Sequence, residues 1–470
     1  MAVGIALILS PARLLSRLTV HGQLKGARGY LCCVTAIAFL IGVVVLIAGL
    51  AASIALHELG HLIPAKKFGV RVGQYMIGFG PTIWSRRKGE TEYGFKAIPL
   101  GGYISMAGMY PPSPKERAAV AAGSREGRAG GGFFATMVQD ARAANDETLA
   151  GDDDDRVFYK LPVWQRVVVM LGGPVMNLLL AIVLFTIVFS GIGVQTATTT
   201  VAGLSACVPA AGAASCAADD PPPPSEVAGI KPGDVIISVG GTPVSTFAEA
   251  STLIRESPGT PLAMVVERDG TEQTLTVTPA TVEASATGTT GGDATAKIGF
   301  VGIRPTVEYV RQPIWAGAQT AVENVGAVAG IIWQLPVKVY DAGVSLVTGQ
   351  ERDPNGPLSV VGAGILAGEV SAADAPILNR VLGILGLLAS LIIALFVFNL
   401  IPLLPLDGGH VVVALWDGLK RAWARWFGMP EPKPVDATKL VPVTFVVVIA
   451  LVVMGGVLIL ADIFNPISIL

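Results

Sequence analysis

Leu31–Leu56 is a run of 26 residues without a formal charge, and the sequence H-E-L-G-H follows it directly at residues 57–61. A helix needs about 20 apolar residues to span a bilayer, so the run predicts a membrane-spanning helix. In a helix, His57 and His61 lie one turn apart on one face, where two imidazoles can bind one zinc ion, and Glu58 projects beside it as a general base. The alternative is polar residues that cap a membrane helix. It is disfavoured because ionisable groups at membrane depth are costly.

The composition indicates a membrane protein with soluble regions attached. The 470 residues are 52% hydrophobic and 14% charged, with a mean hydropathy of +0.61. A soluble domain carries about a quarter charged residues. The net charge of −2 gives no reason to expect a nucleic-acid partner. Four cysteines do not make a disulfide scaffold, although Cys207 and Cys216 can pair if their loop is extracytoplasmic.

The spans and their orientation follow from apolar runs and basic residues. The segment Lys66–Arg166 holds 15 Lys and Arg in 101 residues, whereas Gln195–Pro376 holds 8 in 182. Because cytoplasmic loops are enriched in basic residues, the first segment is predicted to be cytoplasmic and the second external. The uncharged runs long enough to span a membrane are Leu31–Leu56, Val167–Val201, Val381–Leu406 and Leu440–Ala461.

Both large links between the spans carry strand patterns. In the cytoplasmic link, residues 70–106 are short strands with glycine turns, and the Ala/Gly-rich stretch 111–156 is predicted to be a flexible insertion. The external link predicts a small β domain with a hairpin turn at Asp269-Gly270. After that domain, residues 313–347 have helical periodicity. Either an interfacial amphipathic helix or a soluble helix packed on the β domain fits this stretch.

A second chemical element ends the third span, where residues 399–410 read N-L-I-P-L-L-P-L-D-G-G-H. Two prolines break the helix before Asp407, and two glycines free the backbone after it. The first and third spans run in the same direction, so Asp407 is expected at the depth of His57 and His61, as the third protein ligand that a catalytic zinc needs. His410 is interpreted as structural.

These two elements together resemble the site-2 protease family of intramembrane zinc metalloproteases, whose signature is H-E-x-x-H in one span and N-x-x-P-x-P-x-L-D-G in a later one. Three further stretches resemble the bacterial branch with one PDZ domain. Gly101-Gly102-Tyr103 resembles its membrane-associated β-hairpin, residues 172–177 its second core span, and residues 226–241 its PDZ signature.

The resemblance implies hydrolysis of peptide bonds in transmembrane segments of membrane proteins, such as anti-sigma factors or remnant signal peptides, in regulated intramembrane proteolysis. It implies Zn²⁺ held by His57, His61 and Asp407, with Glu58 as the catalytic base. The expected partners are membrane lipid and a transmembrane substrate already cut by another protease, with the PDZ-like domain as a size filter. A strand edge in the region 93–106 would hold the unwound substrate. The predicted substrate-binding residues are Asn399, Asn177, Gly101, Gly102 and Tyr103. A role in helix packing fits Asn399 and Asn177 equally well.

The predicted fold is a multi-pass α-helical membrane protein with about four transmembrane helices, a membrane-associated β-hairpin or sheet and one extracytoplasmic PDZ-like β domain. The active site is expected on the cytoplasmic side of the cell membrane. Competing functions are a catalytically silent PDZ scaffold and a transporter. The predicted division is 1–30 N-terminal extension, 31–66 first span, 67–110 β region, 111–160 insertion, 161–199 second span, 200–305 PDZ-like domain, 306–376 amphipathic linker, 377–415 third span, 416–439 cytoplasmic link and 440–470 fourth span.

Overall fold

The computed structural model describes residues 24–109, 155–208, 216, 220–285, 295–350, 352–353, 356–430, 432, 435 and 440–467. Residues 1–23 of the predicted N-terminal extension, residue 110 of the predicted β region and residues 111–154 of the predicted insertion therefore lie outside the described residues. The chain divides into two compact units, one formed by residues 1–188 with 314–470 and the other by Phe189–Pro313.

The first unit is a bundle of helices with one small sheet. Within the described residues, four helical segments are long and apolar enough to cross a membrane: Thr35–Lys67, Val163–Ile192, Ile377–Asn399 and Val441–Phe464. The four predicted spans are thus helical. The helices of this unit are α1 (Leu24–Lys67), α2 (Val163–Thr186), α3 (Ala316–Thr348), α4 (Val360–Ala372), α5 (Ile377–Asn399), α6 (Asp407–Trp426) and α7 (Val441–Phe464).

Two of these helices fill the stretch predicted as an amphipathic linker. α3 is a continuous helix of 33 residues that packs along α2, α5 and α7, so the predicted helical periodicity of residues 313–347 is confirmed. α4 is short and apolar, and it packs on α1 and α5. Asp462 of α7 ties the start of α4 in place, because it accepts from the backbone N–H of Ser359 at 2.7 Å and pairs with Arg352 at 2.6 Å.

The sheet of the first unit consists of two long, bent strands, β1 (Val72–Lys88) and β2 (Thr91–Met106). Its register pairs Ile77 with Gly102 and Trp84 with Phe95, while Met76 lies opposite both Tyr103 and Gly94. The first half of β2 therefore lies inside the sheet, with the two halves of β1 on either side. The second half, Gly102–Met106, is an outer strand, and β2 also contacts α1. The region 93–106 was predicted to supply a strand edge, and the part of it that lies at an edge of the sheet is Gly102–Met106.

The second unit is a β domain. Its strands are β3 (Val194–Leu204), β4 (Val235–Val239), β5 (Thr242–Pro243), β6 (Leu262–Arg268), β7 (Thr271–Val277), β8 (Ala280–Ser285), β9 (Thr295–Phe300) and β10 (Ile303–Val310). The main sheet has the order β10-β3-β4-β6-β7, with β5 on β4, and β8 pairs with β9. Buried Val201, Ile236, Met264 and Val266 lie at the centre of its core. A disulfide joins Cys207 to Cys216.

The first strand of this domain begins earlier than the sequence predicts. The second predicted span ran to residue 199, but the helix ends at Ile192 and β3 begins at Val194. Residues 195–201 read Q-T-A-T-T-T-V and carry no formal charge, so a composition count includes them in the apolar run. Their β-branched side chains favour an extended strand. The predicted domain boundary at residue 200 therefore falls inside a strand.

A buried ion pair holds the turn before β4. Arg268 donates to Asp234 through two bonds of 2.7 Å, and the backbone N–H of Lys231 donates to the same carboxylate at 2.8 Å. The Asp234 side chain is 1% exposed. The Arg268 guanidinium holds the pKa of this carboxyl below its ordinary value. The pair therefore stabilises the domain above about pH 4, the ordinary pKa of Asp, and its contribution is lost as the pH falls through the lower pKa of the folded state.

We predict that Asp234→Asn lowers the free energy of unfolding of this domain by about 2–3 kcal/mol at pH 7, since the guanidinium loses its charged acceptor. The difference from the parent chain should shrink on acidification, because a protonated Asp234 resembles asparagine. Urea titration of the full chain in detergent, read by hydrogen–deuterium exchange of peptides from residues 235–268, measures both effects. Glu267→Gln, on the exposed face of β6, is the matched control. A cost that stays constant with pH would contradict the assignment.

Candidate metal centre and active site

Three side chains from two distant parts of the chain converge at one point. His57 and His61 lie on α1, and Asp407 is the first residue of α6. Oδ2 of Asp407 lies 3.2 Å from Nε2 of His57 and 3.5 Å from Nε2 of His61, and the two Nε2 atoms are 3.2 Å apart. The structure therefore brings together the three predicted metal ligands. They form a group able to hold a metal ion within the described part of the chain.

The size of this triangle fits zinc. Tetrahedral Zn²⁺ with ligand distances of about 2.0–2.1 Å places its ligand atoms about 3.3–3.4 Å from one another. The observed separations of 3.2, 3.2 and 3.5 Å bracket that value. Oδ2 of Asp407 is buried and makes no hydrogen bond within the described residues, as expected of an oxygen reserved for a cation. The donor set of two imidazoles and one carboxylate leaves a fourth position for water.

Both imidazoles have hydrogen-bond partners behind the metal site. Nδ1 of His61 lies 2.7 Å from the carbonyl oxygen of Val169, and because a carbonyl only accepts, Nδ1 carries the proton and Nε2 keeps its lone pair for the metal. The side-chain amide of Asn177 lies 3.2 Å from Nδ1 of His57 and also contacts the hydroxyl of Ser53. As placed, Nδ2 of Asn177 faces Nδ1 of His57, and Oδ1 accepts from the Ser53 hydroxyl at 3.3 Å. Zinc binding through Nε2 of His57 leaves the proton on Nδ1, and a half-turn of the amide would bring Oδ1 to accept it.

The contact between α1 and α2 makes room for the ligands. Gly60 of α1 and Gly172 of α2 face each other so closely that a Cβ on either would collide with the backbone of the other helix. A Cβ on the adjacent Gly173 would collide with the His61 ring and press on His57. The sequence G-G-P-V-M-N at residues 172–177 of α2 therefore has two roles at the site. Its glycines leave space for the imidazoles, and its asparagine contacts His57.

Asp407 is presented by a break between two helices. α5 ends at Asn399, the loop 400–406 follows, and α6 begins at Asp407. The loop folds back so tightly that a Cβ on Gly408 would meet the carbonyl oxygens of Leu400 and Ile401. The predicted role of the prolines and glycines around Asp407 matches this geometry. His410, one turn further on α6, lies outside the group of three ligands in the described structure.

Glu58 lies between the metal ligands and the sheet. Its side chain is nearly buried, at 9% exposure. Gly102 of β2 packs against it, since a Cβ there would lie 3.1 Å from Cγ of Glu58. Tyr75 of β1 donates from its hydroxyl to the backbone carbonyl of Ala55, on the preceding turn of α1, at 2.7 Å. The sheet is therefore fastened to the helix that carries both the glutamate and the histidines.

The predicted substrate-binding residues fall in different places. Gly102 and Tyr103 lie on the outer half of β2 beside α1, and Gly101 directly precedes that half. Asn399 is the half-buried last residue of α5. Asn177 is 2% exposed and contacts His57, a contact that sequence reasoning did not foresee.

Sequence reasoning also missed Ser53 and the buried pair Arg166–Asp417, which joins α2 to α6 at 3.0 Å. The sequence signal for the Arg166–Asp417 pair was the position of both charges at the edges of apolar stretches.

The chain is similar to known metalloproteases over most of its length. The model of peptidase family M50 matches residues 45–425. The chain is similar to the zinc metalloprotease Rip1 of Mycobacterium tuberculosis, with 34% identity over 439 residues that cover 91% of this chain and 98% of that protein. It is 34% identical to Rip1 of Mycolicibacterium smegmatis over 92% of this chain and 99% of that protein. It is 30% identical to the metalloprotease MmpA of Caulobacter vibrioides over 82% and 88%, respectively.

We predict that Asn177→Leu lowers the affinity for zinc about 10–100-fold, the usual cost of losing a hydrogen bond behind a metal ligand. Asn177→Asp presents a carboxylate oxygen that can accept from Nδ1 of zinc-bound His57, so it should retain affinity near that of the parent chain. The measurement is competition for zinc with a chromophoric chelator, on protein in detergent.

Asn399→Leu is the control for this measurement, because Asn399 ends the helix before Asp407 and neither of its predicted roles, substrate binding or helix packing, is to support a metal ligand. Equal zinc affinity in Asn177→Leu and the parent chain would leave Asn177 with only its predicted substrate role.

Proposed function

Because the chain belongs to peptidase family M50, the family of the site-2 proteases, we propose that this zinc metalloprotease hydrolyses peptide bonds inside transmembrane segments of other membrane proteins. The observation that supports the proposal is the position of the ligands along apolar helices. His57, Glu58 and His61 lie within Thr35–Lys67, and Asp407 follows Ile377–Asn399 after a seven-residue loop; both helices are long and apolar enough to cross a membrane. In a bilayer, a peptide bond would have to enter the membrane region to reach such a site.

The residues of the chain divide the chemistry among them. His57, His61 and Asp407 would hold Zn²⁺, which supplies an acidified water at neutral pH and polarises the scissile carbonyl. Glu58 then takes the proton of the attacking water and delivers a proton to the leaving amine. Its burial keeps bulk water away from this proton transfer, and its position against Gly102 places it between the metal ligands and the outer strand.

Substrate would be held as an added strand. A transmembrane helix hides its carbonyls in internal hydrogen bonds, so a cut requires a locally extended segment whose backbone finds other partners. The outer strand Gly102–Met106 offers backbone groups beside Glu58; Tyr103 lies on this strand and Gly101 directly precedes it. Pairing with it would lay the substrate across the metal ligands. Asn399, at the end of α5, would contribute an amide hydrogen bond to the same extended segment.

The proposed substrates are membrane proteins already shortened by another protease, as in regulated intramembrane proteolysis. The proposed orientation puts the metal end of the bundle on the cytoplasmic side and residues 200–305, interpreted as a PDZ-like domain, outside. The disulfide between Cys207 and Cys216 supports this orientation, since disulfides persist in oxidising compartments. As a size filter, an external domain would admit short stubs and delay long ectodomains.

The scaffold interpretation loses its basis because the complete His/His/Asp/Glu set is assembled with zinc-sized spacing and the relatives are zinc metalloproteases. A silent scaffold has no need of a buried carboxylate oxygen held beside two imidazoles.

We predict that Glu58→Gln abolishes cleavage of a reporter transmembrane segment, with a loss of at least about 100-fold, while zinc content stays at the level of the parent chain. The glutamine keeps the shape of the side chain but cannot accept the proton. Asp407→Ala should lose both activity and zinc. Reporter cleavage in liposomes and elemental analysis of the same samples separate these outcomes, and an active Glu58→Gln would remove Glu58 from the chemistry.

A cross-linking experiment tests strand addition. We predict that Ser105→Cys, in the outer half of β2, forms disulfides with single cysteines at alternate positions along the cleaved segment, because neighbouring residues of a strand point to opposite faces. The background is Glu58→Gln, which keeps the substrate intact. Arg86→Cys, on the opposite side of the sheet, is the control and should give no such pattern. Cross-links spaced every three or four residues would mean that the substrate is held as a helix.

A further inference from the structure

The face of α1 that carries both histidine ligands also carries a serine. Ser53, His57 and His61 are spaced four residues apart, so they lie in one stripe along the helix. Ser53 is fully buried, at 0% exposure, in a helix that is apolar enough to cross a membrane. A buried hydroxyl costs free energy unless it has a hydrogen-bond partner. The partner of this hydroxyl therefore bears on the role of Ser53.

A matching stripe on α2 faces these three side chains. Its members are also spaced four residues apart, and each meets the stripe on α1: Val169, Gly173 and Asn177. The carbonyl oxygen of Val169 lies 2.7 Å from Nδ1 of His61, and Gly173 leaves space for both imidazole rings. The third member, Asn177, lies between Ser53 and the other histidine. The two stripes therefore run in register, and Ser53 is where their contact at the metal site begins.

Asn177 connects Ser53 to His57. Its Oδ1 accepts from the Ser53 hydroxyl at 3.3 Å, and its Nδ2 lies 3.2 Å from Nδ1 of His57. At 2% exposure, Asn177 is almost as inaccessible to bulk water as Ser53. The two polar ends of the amide thus face side chains of α1 that are one helical turn apart, and a change at Ser53 reaches the imidazole through the amide.

A hydroxyl suits this position because it both donates and accepts. Zinc bound through Nε2 of His57 leaves the proton on Nδ1, which requires the oxygen of the amide on that side. Nδ2 of Asn177 then faces Ser53, whose hydroxyl accepts after rotation about one bond. Ser53 can therefore partner the amide in either orientation. Alanine at this position would leave one polar atom of the amide without this partner in both.

We propose that Ser53 is a positioning residue of the metal site, which holds the Asn177 amide in line with Nδ1 of His57. Loss of the hydroxyl would let the amide turn away, and the imidazole would lose its hydrogen-bond partner behind the metal. The proposal concerns metal binding by this chain's own residues. It is independent of the substrates proposed above, because metal affinity is measured without a cleavage reaction.

The test is a double-mutant cycle on zinc affinity in the full chain, with Ser53→Ala, Asn177→Leu and the double variant. Zinc is titrated in detergent against a chromophoric chelator. Ser53→Ala should weaken zinc binding roughly tenfold, the low end of the range for lost support behind a ligand. The double variant should bind zinc like Asn177→Leu alone, because the hydroxyl acts through an amide that is then gone.

Ser345→Ala is the matched control. Ser345 is also a buried serine in a helix of the bundle, but its hydroxyl donates to the carbonyl oxygen of Ala342 on its own helix, at 2.9 Å. Its loss should leave zinc affinity unchanged. Cobalt loaded in place of zinc gives a second readout, since its visible absorption bands respond to the ligands. The bands should shift in the same direction in Ser53→Ala and Asn177→Leu, and stay in place in Ser345→Ala.

Two outcomes would overturn the proposal. Zinc affinity in Ser53→Ala equal to that of the parent chain would mean that the hydroxyl has no role at the metal site. Losses that multiply in the double variant would mean that Ser53 acts through the packing of α1 and not through Asn177.

Discussion

The structure depends on the close approach of three ligand atoms that cost free energy to bring together without a cation. Two Nε2 lone pairs and a carboxylate oxygen lie within 3.5 Å of one another, in a region of low exposure. In a medium of low dielectric constant, such unpaired acceptors repel and lose their hydration, and one divalent ion reverses both effects. The Gly60–Gly172 contact, the broken helix before Asp407 and the amide of Asn177 all act at this point.

The ligands come from two helices separated by more than 300 residues of chain, so something must fix α6 relative to α1. α2 fulfils this role. Its glycines contact α1, and its Arg166 forms a buried ion pair with Asp417 of α6. Such a pair adds little net stability, since desolvation of both charges offsets their attraction. The pair instead fixes the orientation of α6, because a rotation of α6 would separate two buried charges. One helix thus aligns both halves of the metal site.

The sequence was sufficient for the parts of the site that have local patterns. Helical spacing predicts that His57 and His61 share a face, and the direction of the spans predicts that Asp407 reaches them. The start of β3 at Val194 was missed because uncharged Thr-rich residues count as apolar whether they form a helix or a strand. The contact of Asn177 with His57 and the outer position of Gly102–Met106 depend on packing between distant segments, and no local periodicity encodes that.

Within the described residues, two buried arginine–aspartate pairs lie at opposite ends of the bundle. Arg166 lies in the first turn of α2 and binds Asp417 of α6, near the end of the bundle that holds the ligands. Arg352 binds Asp462 near the end of α7, where α4 begins. Charged groups concentrate at helix ends because the apolar middle cannot solvate them. A carboxylate and two imidazoles that converge inside the bundle carry a desolvation cost, which a bound cation offsets. The position of Asp407 therefore makes zinc part of the packing of this end of the bundle as well as of its chemistry.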